Sequence, residues 1–389
     1  MVNVLIGICG GIASYKVCDL IRELKKEGHN VKTVLTPFAE KFLSPMTFET
    51  LSGNKSYTDK DWLSEPLAHI NLARWADVFL IAPATANTIS KIAYGIADNL
   101  LTTTVLAYGK ALIVAPAMNT VMYKSPQVQE NLNKLKEIGH IVVEPEFGVL
   151  ACEEVGEGKL ASKERLIDWI YYYLEEKSLK GKKVLITCGA TREYIDPVRF
   201  ISNESSGEMG FSLARICRWK GAEVKVISGF TTAQEPPEIE IDRVKTAEEM
   251  RKKVLEKFDW SDVVIMNAAV LDFKPVKTES KKIKKRESIT LEFVKNVDIL
   301  QELGKIKGSK IIVGFALESE RLIEYAREKL IKKNLDLIVA NPTEVMGTQH
   351  HKGFLITKEE VKEFSFSSKL ESARFIVEYV VRKFLRGGK

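Results

Sequence analysis

The sequence predicts an α/β protein of two domains, each with a mostly parallel sheet between layers of helices. Three observations support this fold class. The chain of 389 residues is longer than one ordinary hydrophobic core requires. Short apolar runs alternate with amphipathic segments of helix length along the chain. The alternation starts again after the basic segment "KSLKGKK", so we expect domains over residues 1–177 and 182–389.

The first domain begins with an apolar strand over residues 2–8 that ends at Gly10-Gly11. Apolar residues then recur at helical spacing, and Gly28 ends this helix before the strand "VKTVL". Further strands are predicted at "DVFLIA", "ALIVA" and "HIVVEP", and further helices after Pro83, over 127–138 and over 163–176. Strands flanked by helices in this way form a parallel sheet covered on both faces.

The second domain repeats the scheme, with a strand at "KKVLITC", a glycine turn and a helix near 208–220. Later strands are predicted at "EVKVIS", "DVVIMNAAV", "ITLEFV", "KIIVGFA" and "LDLIVAN", and a terminal helix from about 368. The two halves show no internal sequence repeat, so the pattern indicates two different α/β domains.

Composition excludes several classes of protein. The five cysteines are odd in number and lack metal-ligand spacing, which predicts a cytoplasmic protein without a zinc site. The net charge of +6 is not arranged as a basic and aromatic stripe, so an anionic small molecule is favoured over nucleic acid. No apolar run approaches a membrane span, and the N-terminus has the pattern of a strand rather than a signal peptide.

The turn after the first strand is a candidate phosphate site. Gly10 and Gly11 leave backbone N–H groups free at a helix start, and Ser14 adds a hydroxyl. A tight strand-to-helix turn explains the two glycines equally well. The turn is not GxGxxG, so a dinucleotide is poorly supported.

Polar residues in small-residue surroundings follow the strand "DVFLIA", and this combination suits the edge of a flavin ring. The residues are Thr85, Asn87, Thr88, Asp98 and Asn99. Helix caps and turns explain any one of them but not the cluster. His69 lies just upstream; a single histidine is most often structural, and this cluster makes a functional role more credible.

The segment "PAMNTVMY" ends an apolar strand without a charged residue. A neutral amide, Asn119, between Met118 and Met122 suits a partly dry pocket that holds a polar group, although Met122 also fits as core filler. Cys152 lies in a glycine-containing segment without a strong strand or helix pattern, which makes it a candidate thiol acid.

Five motifs together resemble the flavin-dependent cysteine decarboxylases, specifically the decarboxylase half of the bifunctional phosphopantothenoylcysteine decarboxylase/phosphopantothenate–cysteine ligases. They are "GGIASYK", "HINLARWAD", "PATANTISKIAYGIADNLL", "PAMNTVMY" and "ACEEVGEGKL". The resemblance implies a flavodoxin-like domain and FMN, which takes electrons from the cysteine moiety so that CO2 leaves through a thioaldehyde. Tyr123 departs from the tryptophan common in relatives.

The resemblance also implies residue roles. His69 is the active-site histidine, Asn119 binds the substrate carboxylate, and Cys152 protonates the enethiolate. The implied cofactor-binding residues are Gly10, Gly11, Ser14, Thr36, Thr85, Asn87, Thr88, Asp98, Asn99 and Met118. A neutral amide stabilises a carboxylate less than an arginine does, so loss of CO2 is easier.

In the second half, residues 205–207 offer N–H groups and hydroxyls to a phosphate before a helix. Ser205 and Glu208 also fit a capping box, and both interpretations stand. Asp272 follows a strand at the usual place for ligands in open α/β sheets. The lysine run "KKIKK" (281–285) suits either a solvated loop or charge neutralisation beside a triphosphate.

Motifs of this half resemble the ligase of the same bifunctional family: "GATREYIDPVRFISNESSGEMG", "NAAVLDFKP", "KIKK", "VKNVDIL", "GFALE" and "KNLDLIVAN". The resemblance implies a Rossmann-like domain that uses CTP and Mg2+ to form an acyl-cytidylate of 4′-phosphopantothenate, which cysteine then attacks. Asn203 acts in amide formation and Lys282 in activation. The implied CTP site comprises Met266, Asn267, Ala268, Asp272, Lys282, Val297, Asp298, Ile299, Leu300, Phe315, Lys329 and Lys333. No metal-ligating residue is assigned, and we expect the CTP phosphates to hold most of the Mg2+ coordination.

The sequence departs from the ligase motifs at two positions, and two alternative functions are also considered. Val297 replaces a usual proline, and Glu208 replaces a common lysine beside the expected phosphate site. A flavin-binding regulatory module is one alternative, and an NAD(P)-dependent reductase is the other. The resemblance further implies a homo-oligomer with trimeric decarboxylase and dimeric ligase contacts, up to a dodecamer.

Overall fold

The chain folds into two compact units, Met1–Leu174 and Glu175–Lys389. This is a computed structural model, and it describes residues 1–285, 287–343 and 351–385. Each unit is an α/β domain built on a largely parallel sheet, so the predicted fold class is confirmed. No helix within these described ranges is long and apolar enough to cross a membrane.

Six parallel strands form the sheet of the first unit, in the order β3-β2-β1-β4-β5-β6. They are β1 Asn3–Ile8, β2 Asn30–Leu35, β3 Ser56–Tyr57, β4 Val78–Ala84, β5 Ile113–Pro116 and β6 Ile141–Val142. Without the two-residue edge strand β3, the five remaining strands follow the flavodoxin-like order 2-1-3-4-5. The segment "HIVVEP" therefore contributes only a short strand at the opposite edge.

Helices cover both faces of this sheet. They are α1 Tyr15–Lys26, α2 Pro45–Ser52, α3 Asp59–Ser64, α4 Ala68–Trp75, α5 Ala86–Tyr94, α6 Leu100–Tyr108, α7 Thr120–Lys124, α8 Pro126–Glu137 and α9 Lys163–Leu174. Alternate residues of β4 enter separate hydrophobic clusters, with Phe79 in one and Leu80 in the other. Burial on both faces explains why the central strands are continuously apolar rather than alternating.

The segment around Cys152 differs from the expected loop. It forms an antiparallel hairpin of β7 Glu146–Val149 and β8 Val155–Lys159, with Cys152 in the connecting turn. The expectation of no strand there was wrong. Strand β8 lies within "ACEEVGEGKL", where glycines and backbone contacts form the pairing and leave no hydrophobic alternation in the sequence.

The main sheet of the second unit has eight strands in the order β13-β12-β9-β14-β17-β18-β19-β20. They are β9 Lys183–Cys188, β12 Glu223–Ser228, β13 Glu240–Arg243, β14 Val263–Met266, β17 Ile311–Glu318, β18 Leu337–Pro342, β19 His351–Ile356 and β20 Val361–Phe366. The first six are parallel in a Rossmann-like order, and the last two add an antiparallel edge.

Two small hairpins lie outside this sheet, β10 Arg192–Tyr194 with β11 Phe200–Ser202, and β15 Phe273–Pro275 with β16 Phe293–Lys295. The predicted strand "ITLEFV" is therefore reduced to three residues and does not join the main sheet. The helices of this unit are α10 Glu208–Trp219, α11 Ala247–Phe258, α12 Ile299–Lys305, α13 Leu322–Lys332 and α14 Lys369–Val380.

The predicted capping box before α10 is wrong. The N-cap is Gly207, at φ 81°, and it makes no side-chain cap hydrogen bond. Glu208 is the first helical residue, and its N–H donates to the hydroxyl of Ser206 at 3.3 Å. Because Ser205 lies two positions before the N-cap, the Glu208 carboxylate is not used in a capping box and pairs with Lys369 Nζ at 3.0 Å instead.

Candidate active sites

A cavity of about 520 Å3 lies at the carboxyl ends of β1, β4 and β5 in the first unit. Its lining residues come from four segments, within residues 10–16, 83–86, 117–122 and the hairpin residues 149–160. Ligands of open α/β sheets bind at this end of the strands because the loops that follow them converge there. Its volume lies in the range of small-molecule and cofactor sites.

The turn after β1 fits a phosphate-bearing ligand. A Cβ at Gly10 would lie 2.8 Å from the backbone carbon of Phe38, so only glycine fits this close approach. The hydroxyl of Ser14 is buried at the start of α1 and has no hydrogen-bond partner among the residues that the structure describes. Gly11, Thr85 and Met118 also line the cavity. A small-residue cleft beside an unpartnered hydroxyl suits the flat ring and phosphate of FMN.

Asn119 has a fixed orientation at the cavity wall. Its Oδ1 accepts a hydrogen bond from the N–H of Val121 at 2.8 Å, as the cap of α7. A flipped amide would place two donors face to face, so the Nδ2 group must point away from the helix. It donates to Glu154 Oε2 at 2.7 Å and lies 3.6 Å from Cys152 Sγ.

Glu154 completes this cluster, and the sequence analysis missed it. Its Oε2 also accepts from the Cys152 thiol at 3.6 Å, so one carboxylate oxygen contacts both predicted catalytic groups. A signal was present in the sequence: the glutamate follows the cysteine by two residues in the same turn. The cluster joins a hydrogen-bond donor, a proton-bearing thiol and an acceptor at the rim of the cavity.

The hairpin is fixed to the segment after β5 by a backbone contact. The N–H of Met118 donates to the carbonyl of Gly158 at 3.0 Å. A Cβ at Gly158 would lie 2.2 Å from the Met118 carbonyl oxygen, and its φ of 131° favours glycine as well. This contact sets the position of Cys152 relative to Asn119.

Several predicted residues do not line this cavity. They are His69, Ser14, Thr36, Asn87, Thr88, Asp98 and Asn99. The ring of His69 packs edge-on against Trp62 at 5.7 Å between centroids, and its buried Nδ1 has no partner. Asp98 pairs with Lys91 at 2.6 Å, and Asn99 caps α6. Thr88 donates its backbone N–H to Thr85, which caps α5.

The cavity lining includes Lys16 and Lys159, and Tyr123 follows the lining residue Met122 in the sequence. Burial and the neighbouring Lys159 lower the pKa of Lys16, and both lysines line the cavity. Tyr123, the departure from tryptophan, is buried, and its hydroxyl donates to Glu144 at 2.5 Å. Burial and this hydrogen bond raise the pKa of Tyr123, so the hydroxyl stays protonated at neutral pH. Met122 is 49% exposed and lines the cavity, so core filling does not explain it.

The second unit has a cavity of about 180 Å3 at the carboxyl end of β14, which is also lined by Phe315 of β17 and Ile338 of β18. It brings together ten of the twelve residues predicted to bind CTP: Met266, Ala268, Asp272, Val297, Asp298, Ile299, Leu300, Phe315, Lys329 and Lys333. Two of its lysines form ion pairs, Lys333 with Asp298 at 2.9 Å and Lys329 with Glu318 at 2.5 Å, and Lys295 also lines it. Asn267 and Lys282 do not line it.

Lys282 lines a separate, more polar hollow of about 530 Å3 beside the hairpin β15–β16. Asn203 follows β11, and its Nδ2 donates to the carbonyl of Ala269 at 3.4 Å, next to Ala268 of the 180 Å3 cavity. Within the described residues no group of three histidines, cysteines or carboxylates is arranged to hold a metal ion.

Comparisons with known proteins assign each unit to a family. Residues 1–174 match the family model for Flavoprotein, and residues 179–384 match the DNA/pantothenate metabolism flavoprotein C-terminal domain. The coenzyme A biosynthesis bifunctional protein CoaBC of Borreliella burgdorferi is 43% identical over 383 residues, 97% of this chain and 98% of that protein. The Bacillus subtilis CoaBC is 46% identical over 352 residues, 89% of this chain and 87% of that protein.

A crystal structure of a CoaBC C-terminal domain is 36% identical, with a TM-score of 0.48, and covers 54% of this chain and all of that one. The FMN binding protein AtHal3 is 37% identical, with a TM-score of 0.40, and covers 43% of this chain and 94% of its own.

Proposed function

The chain belongs to the family of coenzyme A biosynthesis bifunctional proteins, and from this premise we propose how its two sites divide the chemistry. It is a bifunctional enzyme with a flavoprotein decarboxylase domain followed by a ligase domain. We propose that the second unit joins cysteine to 4′-phosphopantothenate with CTP, and that the first decarboxylates the resulting 4′-phosphopantothenoylcysteine to 4′-phosphopantetheine.

The single observation that supports the decarboxylase site is the meeting of Asn119 and Cys152, with Nδ2 and Sγ 3.6 Å apart, at one cavity. We assign the flavin as FMN, held by Gly10, Gly11, Ser14 and Met118, with its phosphate at the start of α1. Bound FMN supplies the two-electron oxidation of the cysteine moiety and later returns the electrons.

The residues of the chain do the rest of the work in this proposal. The Asn119 amide binds the substrate carboxylate without a full positive charge, so the carboxylate is not over-stabilised before CO2 leaves. Glu154 has to release the Asn119 Nδ2 first, since its own carboxylate holds that donor. After CO2 has left, the Cys152 thiol gives its proton to the carbon of the enethiolate.

We propose a homo-oligomer in which His69 of one copy completes the cavity of another. His69 has a buried nitrogen without a partner and lies outside the cavity lining of its own chain. Large apolar side chains are exposed around that cavity, including Ile12, Tyr15, Val121 and Val149. Exposed apolar surface of this kind marks a contact between proteins.

For the ligase we propose CTP in the cavity of the second unit, with Mg2+ held mainly by its phosphates. The 4′-phosphopantothenate carboxylate attacks the α-phosphate, pyrophosphate leaves, and the cysteine amine then displaces CMP from the acyl-cytidylate. Lys282 would neutralise charge during activation, and Asn203 would act in amide formation beside Ala268. The charge of Glu208 is balanced by Lys369, which supports phosphate binding at residues 205–207 despite the lost lysine.

A mass balance on the full-length protein tests both halves. With 4′-phosphopantothenate, cysteine, CTP and Mg2+, we expect CMP, pyrophosphate, CO2 and 4′-phosphopantetheine in equal amounts. Purified protein should be yellow and release FMN on heating. A colourless protein that binds nicotinamide nucleotides would contradict the assignment and support a reductase.

Two variants assign the halves separately. Cys152→Ser should lower CO2 release about 100-fold and leave pyrophosphate release unchanged, the usual cost of losing a general acid. Lys282→Ala should lower pyrophosphate release about 100-fold and leave CO2 release from added 4′-phosphopantothenoylcysteine unchanged. Cys18→Ser, in α1, is the matched thiol control. Undiminished CO2 release by Cys152→Ser would remove this thiol from the mechanism and favour a binding module.

A further inference from the structure

The lysine loop of residues 281–285 is anchored at its centre by a buried carboxylate. Asp196 is fully buried, and its Oδ2 accepts the backbone N–H of Ile283 at 3.1 Å. Ile283 lies directly between Lys282 and Lys284, so a hydrogen bond to its peptide group fixes the origin of both side chains. The two partners are 87 residues apart in sequence, which makes this a tertiary contact and not a local turn.

Arg199 holds the other side of the same peptide segment. One guanidinium nitrogen donates to the carbonyl of Ile283 at 3.2 Å, and another contacts Asp196 Oδ2 at 3.3 Å. The Asp196–Arg199 pair therefore contacts both the N–H and the carbonyl of one residue. We call Asp196, Arg199 and Ile283 the loop clamp.

Asp196 is itself held in a fixed orientation. Its Oδ1 accepts from the N–H groups of Val198 and Arg199, each at 2.8 Å, within the turn between β10 and β11. Burial alone would raise the pKa of Asp196, but the N–H donors of Val198, Arg199 and Ile283 and the nearby guanidinium lower it. The carboxylate is therefore ionised and fully hydrogen-bonded at neutral pH, as a rigid anchor requires.

The same hairpin holds the start of the loop and carries Asn203. The hydroxyl of Thr278 donates to the Tyr194 carbonyl at 2.9 Å, and the N–H of Glu279 donates to the Ile195 carbonyl at 2.9 Å. At its other end, β11 leads directly to Asn203. One rigid element thus connects the side chains proposed for activation and for amide formation.

We propose that Asp196 is a positioning residue of the ligase, which holds Lys282 in register with Asn203 through the peptide of Ile283. This inference rests on the proposed function of Lys282. Asp196 touches neither nucleotide nor substrate in this account; it acts on the rate of activation by restricting the loop. A mobile lysine loop would still bind CTP through the separate cavity that Lys282 does not line.

The test removes the Asp196–Ile283 hydrogen bond from each end in the full-length protein. Asp196→Asn replaces one of the two carboxylate oxygens with an NH2 group, which cannot accept the Ile283 N–H. Ile283→Pro removes that N–H on a partly exposed loop and leaves the buried carboxylate unchanged. Each should lower kcat for CTP-dependent pyrophosphate release about 10- to 100-fold, the effect of a misplacement of about 1 Å. The KM for CTP should change less than about threefold, since binding energy is retained. CO2 release from added 4′-phosphopantothenoylcysteine should not change.

Controls separate the clamp from general damage. Val198→Ala lies in the same turn with an exposed side chain and should keep wild-type kcat. Ile283→Ala keeps the N–H and should lose less activity than Ile283→Pro. The double variant should be no slower than the slower single variant, because both changes remove the same bond. Should Asp196→Asn unfold the second unit, the comparison of Ile283→Pro with Ile283→Ala decides alone.

The outcomes also separate this inference from the ligase assignment. Wild-type protein without CTP-dependent pyrophosphate release would overturn the proposed ligase function. Active wild-type protein with unchanged kcat in Ile283→Pro, or strictly additive losses in the double variant, would overturn the clamp alone. Hydrogen exchange at the Ile283 amide is a direct check, and it should accelerate at least about tenfold in Asp196→Asn if the buried acceptor protects it.

Discussion

At the scale of single residues, the most informative contact is the one that Glu154 makes with Asn119. The Asn119 amide is the group proposed to bind the carboxylate of the substrate, yet in this structure it already binds the carboxylate of Glu154 at 2.7 Å. The Nδ2 group carries two N–H donors, but two carboxylates bound side by side to one amide repel each other. Substrate binding therefore requires Glu154 to turn away, and its exposed position in the turn permits this movement.

We expect Glu154→Gln to lower the KM for 4′-phosphopantothenoylcysteine. The charge that competes with the substrate carboxylate is removed, and an exposed charge pair of this kind is worth up to about 1 kcal/mol, or about fivefold in KM. Steady-state CO2 release measures the effect. Glu153→Gln is the matched control, because it removes the same charge from the adjacent exposed residue. Equal changes in both variants would attribute the effect to net charge, and a higher KM in Glu154→Gln would show that Glu154 assists binding.

At the scale of secondary structure elements, the hairpin β7–β8 positions the thiol. Its attachment depends on the absence of a side chain at Gly158, where a Cβ would lie 2.2 Å from the Met118 carbonyl oxygen. Gly148 lies on the opposite strand of the hairpin, and a Cβ there would meet only the side chain of Lys159, at 3.5 Å. A side chain is therefore excluded at Gly158 but tolerated at Gly148, a difference that the sequence alone does not indicate.

Gly158→Ala should separate Cys152 from Asn119 while leaving the thiol in place. We expect CO2 release to fall about 100-fold, since a shift of about 1 Å at a reacting group has this cost. Gly148→Ala should retain most of the activity. Thiol labelling of the unliganded protein would verify that Cys152 remains accessible in both. Similar activity in the two variants would contradict the positioning role of the hairpin.

A second element-scale contact explains the glutamate at the start of α10. Glu208 is favourable there because the helix N-terminus carries partial positive charge. Its partner Lys369 begins α14, and the lysine side chain is only 12% exposed. A lysine at position 208 would face Lys369, so the glutamate at 208 and the lysine at 369 belong together.

Glu208→Lys should therefore destabilise the second unit by about 1 kcal/mol, through lost pairing and an unfavourable helix terminus. The exchange variant Glu208→Lys with Lys369→Glu should recover the pairing part of this loss. The urea dependence of hydrogen exchange in α10 measures both. Glu204→Lys, an exposed charge reversal four residues earlier, should have a smaller effect. Full additivity in the double variant would show that the two residues do not interact.

The elements that the sequence predicted are those whose signal is local. Strands such as β1 and β9 are apolar because both faces are buried, and Gly28 ends α1 as a left-handed glycine. The missed elements depend on distant partners. Strand β19 pairs with β18 and β20, and strand β8 of the hairpin is held by Met118 through Gly158. The hydrophobic periodicity within these segments does not indicate such long-range contacts.

At the scale of the whole molecule, the two units differ in how complete their predicted sites are. The cavity of the second unit brings together residues from four of the motifs that resemble the ligases, and that resemblance is what predicted them as a set. The decarboxylase site unites Asn119 with Cys152 but leaves His69 outside the cavity. A sequence specifies which side chains act, but contacts between copies have no local pattern from which they can be predicted.

If His69 of one copy serves the cavity of another, two inactive variants should restore each other's activity. His69→Asn and Cys152→Ser, each in the full-length protein, should show little CO2 release alone. Co-expressed in equal amounts with different tags and purified through both tags, they form mixed oligomers. A mixed trimer has one interface in three with both an intact histidine and an intact cysteine, and random assembly of a larger oligomer gives about one in four, so about a quarter to a third of wild-type activity should return. A site within one chain leaves every copy defective, and mixed oligomers would stay inactive. Mixing Cys152→Ser with Asn119→Ala is the control, because both residues belong to the same cavity and no mixture can reunite them.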